Sequence, residues 1–344
     1  RYGAVARDKS LQDAGHHLSF LAQALALDNQ SMFIDYVAWS KVVLARRNVS
    51  AADFAFQLAC LAEVLPQTLP EDVGRLARSF VEAAASAMPS MPEDLPTLLH
   101  DGAPLSRIAH QYFEALLRGD RTVASRLVLD AVAAGTPVKQ IYLDVFQPAQ
   151  YEIGRLWQTN RMTVAQEHYF TAATQLIMSL LYPYIFANEK NGRTLVATCV
   201  VGDLHELGIR MVADFFELAG WSTYFLGSNT PHADVIATLK ERNAEVLAVS
   251  ATIPHHVDAV MALIGAVRAD PGASQTRILV GGRPFNHDPE LWRKVGADGT
   301  APDAESGIVA AGRPIERGAV PILGAESGGI VVICGRDGTV EKVI

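Results

Sequence analysis

Cysteine is scarce. The 344-residue chain has three, Cys60, Cys199 and Cys334, far apart and odd in number. They form neither a disulfide framework nor a zinc cluster, and they point to a reducing cytoplasm. Charge is sparse too, at 19% of residues, and its balance is acidic: 29 Lys+Arg against 37 Asp+Glu, a formal net charge of −8. That excludes nucleic acid as the main partner. Residues 1–100, with 8 basic and 11 acidic side chains, show no basic recognition helix. Long apolar runs are missing as well. The longest, such as Ala244–Ile253, are broken by charge or too short to span a bilayer, so no membrane segment is expected. No signal peptide is visible from Arg1, and the chain lacks an initiator Met, which reads as trimming. Apolar material, by contrast, is plentiful at 49%, enough for two or three packed domains and incompatible with a disordered chain.

Residues 11–88 read as helical, with Leu18, Leu21, Leu25 and then Phe33, Val37 at helical spacing. The segments expected are Leu18–Leu27, Phe33–Ala45, Ala52–Leu65 and Glu71–Ala87, with a bend at Pro66 and Pro70. Met88–Pro104 contains four prolines and reads as a linker. From Leu105 to Ala187 breaks at Gly119-Asp120, Gly135-Thr136-Pro137 and Thr159–Met162 divide four helices, the pattern of a small antiparallel bundle. Thr163-Val164-Ala165-Gln166 fits a capping box at the start of the last one.

From Arg193 the period changes. Thr194–Val201, Ser222–Leu226, Glu245–Ser250, Arg277–Gly281 and Asp298–Ala301 read as strands. Helices at Leu207–Ala219, Pro231–Arg242, Val257–Ala269 and Asp288–Lys294 separate them. The alternation implies a doubly wound, Rossmann-like parallel sheet, whose ligands bind at the carboxyl ends of the strands near the switch in strand order. The expected fold is therefore α plus α/β: a helical N-terminal domain at 1–90, a four-helix bundle at 105–190, and the α/β domain at 193–312. Residues 313–344 form an extension or the start of an output domain. Gly329–Cys334, Arg336-Asp337-Gly338 and Thr339–Ile344 read there as a β-hairpin.

The sharpest chemical signal is Gly202-Asp203-Leu204-His205-Glu206-Leu207-Gly208, between the first α/β strand and its helix. The Asp203 carboxylate can accept a hydrogen bond from the His205 ring, which fixes the tautomer and leaves the other nitrogen free for a metal. Gly208 permits a bulky group to approach the backbone. This resembles the Asp-x-His-x-x-Gly lower-ligand loop of cobalamin-binding domains. Ser250-Ala251-Thr252 after the third strand and Gly281-Gly282 after the fourth match that family's further motifs. The resemblance covers about Arg193–Ala304. It implies that His205 is the lower axial ligand of cobalt, backed by Asp203. It also implies that Ser250 and Thr252 line the slot for the dimethylbenzimidazole tail, with Gly281 and Gly282 letting the tail pass.

The bundle carries Trp157, nine intervening residues, then Glu167-His168. This pattern resembles the cap of CarH-type B12 photoreceptors and, with the helical extension, of photocobilins, which bind a bilin as well. The resemblance implies that Trp157 and Glu167 contact the adenosyl group of adenosylcobalamin. It further implies that light breaks the cobalt–carbon bond and that His168 then becomes the second axial ligand. For a bilin such as biliverdin, held noncovalently, the resemblance points to His16, His17, Tyr36, Trp39, Arg46 and Arg47. Two arginines would pair with propionates and aromatics would stack on rings. The expectation is a cytoplasmic, homo-oligomeric light sensor, not an enzyme, signalling to a C-terminal output domain.

Other histidines suggest less. Pro254-His255-His256 reads as a helix start near the cofactor tail, not a metal site. His110 and His232 have no motif context. His16-His17 diverge too far on a helix for zinc. Gly281-Gly282-Arg283 lacks a Walker lysine. The competing reading is a corrinoid protein that carries methyl groups in a cobalamin-dependent methyltransferase system, which shares the bundle and the His loop.

Overall fold

A computed structural model of the protein describes residues 4–313 and the two short strands Val332–Cys334 and Val340–Val343. These residues divide into two compact units, 4–95 with the two short strands, and 96–313.

The first unit opens with helices α1 (Ala4–Ala26), α2 (Gln30–Ala45), α3 (Ala51–Thr68) and α4 (Glu71–Ala87). Asn29 caps α2 by accepting from the Met32 N–H, and Ser50 caps α3 through the Asp53 N–H, each satisfying one of the orphan donors of a helix start. Phe33, Val37, Phe54, Leu58 and Val81 form the core. Pro66 does not end its helix, contrary to the sequence reading. It lies inside α3 near the C-terminal end, and the turn comes at Leu69-Pro70. Strands β6 (Val332–Cys334) and β7 (Val340–Val343), numbered after the five of the second unit, pair antiparallel. The Asp337-Gly338 turn lies outside the described residues.

The second unit begins with a bundle of α5 (Ser106–Leu117), α6 (Arg121–Ala133), α7 (Val138–Ile141), α8 (Gln147–Gln158), α9 (Val164–Leu180) and the short α10 (Tyr182–Ile185). Helices α7 and α8 are joined through a wide π turn, Tyr142–Phe146, in which the Gln147 N–H reaches back to the Tyr142 carbonyl. Pro148 follows at once and cannot donate a backbone hydrogen bond, so a regular ladder is interrupted here in any case. The capping box at Thr163 is present: Oγ1 accepts from the Gln166 N–H and Gln166 Oε1 accepts from the Thr163 N–H.

The α/β part runs β1 (Thr194–Cys199), α11 (Leu207–Leu218), β2 (Ser222–Gly227), α12 (His232–Glu241), β3 (Val246–Ser250), α13 (Val257–Ala269) and β4 (Arg277–Gly281). Then follow α14 (Arg283–His287), α15 (Leu291–Lys294), β5 (Gly299–Thr300) and α16 (Ala304–Gly312). All five strands are parallel, in the order β2-β1-β3-β4-β5. The order reverses between β1 and β3, so the loop after β1 opens at the switch point. The sequence reading missed α14 and α16, and it ran α15 too far back: Asp288 caps the end of α14. Among the described residues no helix is long and apolar enough to cross a membrane.

Bundle and sheet share one core, in which Phe146, Phe170, Ile177 and Phe215 are all buried. At its centre the Tyr142 hydroxyl donates to Asp214 Oδ2 at 2.8 Å. Burial drives the Asp214 carboxyl up to about 6, against the opposing pull of the Tyr142 hydrogen bond and Arg210. A carboxyl raised in the fold contributes stability that is full below about pH 4 and is lost as pH rises through about 6. Asp214→Asn keeps an acceptor for Tyr142 and removes the buried charge. Its unfolding midpoint is expected to exceed wild type at pH 8, by up to about 3 kcal/mol for a shift of roughly two units. The gain should shrink toward zero at pH 4; a gain equal at both pH values would show that Asp214 charge is not the cause.

Candidate functional site

The loop 200–206 turns at the switch point because Gly202 takes φ +90° and its N–H is held by Asn229 Oδ1 at 2.9 Å. The turn delivers Asp203 inward, fully buried, and His205 outward, with its side chain 62% exposed. Asp203 Oδ1 accepts from the His205 backbone at 3.0 Å and from His205 Nδ1 at 2.8 Å. Oδ2 accepts from the Thr252 N–H at 2.6 Å, tying the loop to the end of β3. Burial alone would raise the Asp203 carboxyl, but the His205 and Thr252 hydrogen bonds outweigh it and hold it at about 2. The Asp203 hydrogen bond in turn raises the basicity of His205, against desolvation and with a smaller contribution from Glu167. With Nδ1 engaged, Nε2 is the ring nitrogen left for a metal.

Glu206 adds a connection that the motif pattern does not reveal, since it occupies a free position of Asp-x-His-x-x-Gly. Its Oε2 accepts from the Ser228 N–H and hydroxyl, both at 3.1 Å, and its Oε1 accepts from Gln175 on α9 at 3.1 Å. Beyond it, Gly208 is exposed, and a side chain there would meet nothing within 4 Å, leaving open space for a ligand.

Ser250 at the end of β3 and Thr252 just past it are half-buried, and Ser250 stands beside Cys199 and Gly281 in register. The two glycines differ. A Cβ on Gly281 would make only an ordinary contact, 3.9 Å from the Ala301 carbonyl. Gly282 sits at φ +101°, and its Cβ would fall 2.1 Å from the Ala251 carbonyl oxygen. Gly282 is therefore required by the protein's own backbone, whereas Gly281 leaves room that the fold does not use.

On the bundle, Glu167 and His168 stand in the first turns of α9. Glu167 Oε1 accepts from Thr171 at 2.9 Å, and its charge is felt at His205. His168 is 74% exposed, yet its Nε2 lies 3.6 Å from Glu167 Oε2. The two side chains converge at their tips although their backbone positions differ by about 100°. Trp157 is 38% exposed at the end of α8. Exposed Val164, Val201 and Leu204 add apolar surface from the α9 start and the His205 loop.

In the first unit, His17 and Tyr36 are buried and bonded to each other, Nδ1 to hydroxyl at 2.8 Å. Trp39 is half-buried with its ring centroid 6.0 Å from Tyr36. His16 and Arg47 are exposed, and Arg46 pairs with Asp94 at 2.8 Å. The structure brings His17, Tyr36 and Trp39 together and leaves His16, Arg46 and Arg47 on the surface.

A parallel 2-1-3-4-5 sheet under a helical cap, with a carboxylate-backed imidazole presented at the switch point, defines a corrinoid-binding protein. The residues fit the group on this structure's own terms: an exposed imidazole whose Nδ1 is engaged by Asp203, leaving Nε2, and open space at Gly208. Comparison with known proteins agrees. Residues 193–310 and 108–182 match two family models, each described as a B12 binding domain, which together span more than half of the chain. Over these two stretches the chain carries cobalamin-binding domains. Among similar proteins, dimethylamine corrinoid protein 3 of Methanosarcina acetivorans is 23% identical over 61% of this chain and 97% of its own length. A corrinoid protein of Desulfitobacterium hafniense is 22% identical over 57% of this chain and 91% of its own. The solved monomethylamine corrinoid protein of Methanosarcina barkeri shares the fold at a TM-score of 0.54, with 21% identity, 60% of this chain and 99% of that one.

Proposed function

We propose that the chain is a non-catalytic, light-sensing cobalamin protein, with His205 on the lower face of the corrin and Trp157, Glu167 and His168 over the upper face. The observation that carries it is the cap: a half-exposed indole, a carboxylate whose charge reaches His205, and an exposed imidazole beside it. When bound, adenosylcobalamin supplies a cobalt–carbon bond that light breaks. Trp157 would pack against the adenosyl group and Glu167 would accept from its hydroxyls, and His168 would be the residue on α9 available to hold the cobalt once that bulk is gone. A switch of this kind works because the two states interact differently with the cap.

A second reading has its own support. Two of the relatives named above are a dimethylamine and a monomethylamine corrinoid protein and the third is a corrinoid protein, and that likeness favours a methyl-carrying role over sensing. One experiment separates the two. Protein loaded with adenosylcobalamin is illuminated with green light, alongside His168→Ala. A sensor binds the adenosyl form tightly, changes spectrum in light, and keeps its cobalamin through His168. The variant should photolyse to an aquo- or hydroxo-type spectrum and release cobalamin faster. Identical light-state spectra and retention in the two proteins would remove His168 from the switch and leave the methyl-carrying reading. The same preparation, incubated with biliverdin, gains red absorption if His17, Tyr36 and Trp39 belong to a bilin site.

A further inference from the structure

The site described so far lies at the carboxyl ends of the strands. At the opposite edge of the sheet, where β1, β3 and β4 begin, is an open cavity of about 700 Å³. Arg193, Lys240, Arg277 and Arg313 line it. Four cations around one hollow stand out in a chain whose net charge is −8. Carboxylates answer two of them. Arg193 Nε pairs with Glu245 at 3.1 Å, and its guanidinium lies 3.9 Å from the centre of the Trp221 ring. Lys240, in the last turn of α12, pairs with Asp270 at 2.9 Å. Arg277 and Arg313 have no carboxylate partner among the described residues.

Arg277 is the informative one, because it is only 8% exposed. Its Nη1 donates to the Ala310 and Ala311 carbonyls at 3.0 and 2.6 Å, closing the C-terminal end of α16. A cation suits a helix C-terminus, so that part of the guanidinium has a structural task. The rest of it does not. A guanidinium carries five N–H donors, and Nε and Nη2 donate to no acceptor among the described residues. A buried charged group with donors left over costs stability unless something in the cavity receives them. The planar fork of Nε and Nη2 matches two oxygens of one phosphate or carboxylate.

Charge and shape narrow the class. With Glu245 and Asp270 counted, the cations exceed the carboxylates by two. A phosphate ester carries roughly 1.5 to 2 negative charges near pH 7, so one such group offsets the excess. The volume is that of a small-molecule site rather than of a single ion. No aromatic side chain is among the lining residues, so nothing there would stack on a base, while Asn243 offers an amide. We propose that this cavity binds the phosphate group of a small, non-aromatic molecule, with Arg277 and Arg313 as the donors to phosphate and Lys240 beside them. The proposal does not depend on the role of His205 or of the cap.

The test uses the full chain loaded with hydroxocobalamin, which keeps the corrin slot filled. Ribose 5-phosphate, inorganic phosphate and ribose are titrated in separate calorimetric runs at about 0.15 M salt, where long-range attraction is screened. Both phosphates are expected to bind at one site per chain, and ribose is not. The tighter of the two tells whether the phosphate arrives as an ester or as the free ion, and either supports the site. Arg313→Glu and Arg277→Lys are each expected to weaken binding about 10- to 100-fold. The second keeps the charge and removes the fork. Arg121→Glu makes the same charge change at the exposed start of α6 and is expected to leave the Kd unchanged. No binding of either phosphate overturns the proposal. So does a loss in Arg121→Glu as large as that in Arg313→Glu, which would mean unspecific attraction. Circular dichroism checks folding. Should Arg277→Lys fail to fold, Lys240→Gln combined with Arg313→Glu decides, and wild-type affinity in that double variant overturns the proposal equally.

Discussion

His205→Ala is expected to abolish the axial histidine bond to cobalt. Cobalamin affinity should fall by more than the roughly 10- to 100-fold typical of losing a residue behind a metal ligand. The fold should survive, because the side chain is 62% exposed and its one side-chain hydrogen bond runs to Asp203. Asp203 keeps the Thr252 N–H and the residue-205 backbone N–H in the variant. Its buried charge thus stays partly compensated, and the loss of stability should be modest. The exposed position also allows free imidazole to enter, so millimolar imidazole should restore an axial-nitrogen spectrum. Cobalamin bound with unchanged affinity and an unchanged axial spectrum in His205→Ala would overturn the assignment.

Gly282→Ala is expected to be the most destabilising single-methyl change near the site. At φ +101° and ψ 177° the backbone lies in a region essentially confined to glycine. The new Cβ would also fall 2.1 Å from the Ala251 carbonyl oxygen and 2.9 Å from its carbon. Those atoms cannot rotate away, because the Ala251 N–H is tied to the Gly281 carbonyl at 3.1 Å and Ala251 is fully buried. Strain and overlap together should cost on the order of 3 kcal/mol or more. Gly281→Ala, with its 3.9 Å contact, should cost well under that. The pair separates fold from ligand. Thermal unfolding of the cobalamin-free proteins should drop for residue 282 only. Cobalamin binding should fall for residue 281 without a matching loss of stability if the cofactor tail passes there. Equal unfolding temperatures for both variants would contradict the geometry.

Much of the architecture was legible because local rules and tertiary packing agree. The bundle breaks were marked by Gly119, Gly135 and Pro137, and by a Thr163 capping box whose two hydrogen bonds both form. The four long strands are apolar runs closed by turn residues, as buried parallel strands are. The errors arose where packing overrides local preference. Pro66 stays within α3 because it falls near the helix end, where little remains of the ladder to break. Helices α14 and α16 carry few periodic apolar residues over their 5 and 9 residues, too few to show a helical stripe. At the site, Asp203 and His205 were readable because they are two residues apart and bonded locally. Glu206 and His256 were not. Glu206 accepts from Gln175 and Ser228, and His256, in the turn after β3, stands 3.3 Å from a carboxylate 53 positions earlier in the chain, so only the closed sheet brings them together.

The Glu206 carboxylate joins three pieces of chain that sequence separates: the His205 loop, the exit of β2 at Ser228, and the middle of α9 at Gln175. In mechanical terms it is a tether between the His205 loop and the cap helix. Helix α9 carries His168 near its start and the tether further along. On the sensing reading proposed above, a rotation that swings His168 inward would stretch or release the Gln175 contact and load the residue adjoining His205. The force needed for that movement would thus be set partly from the His205 side.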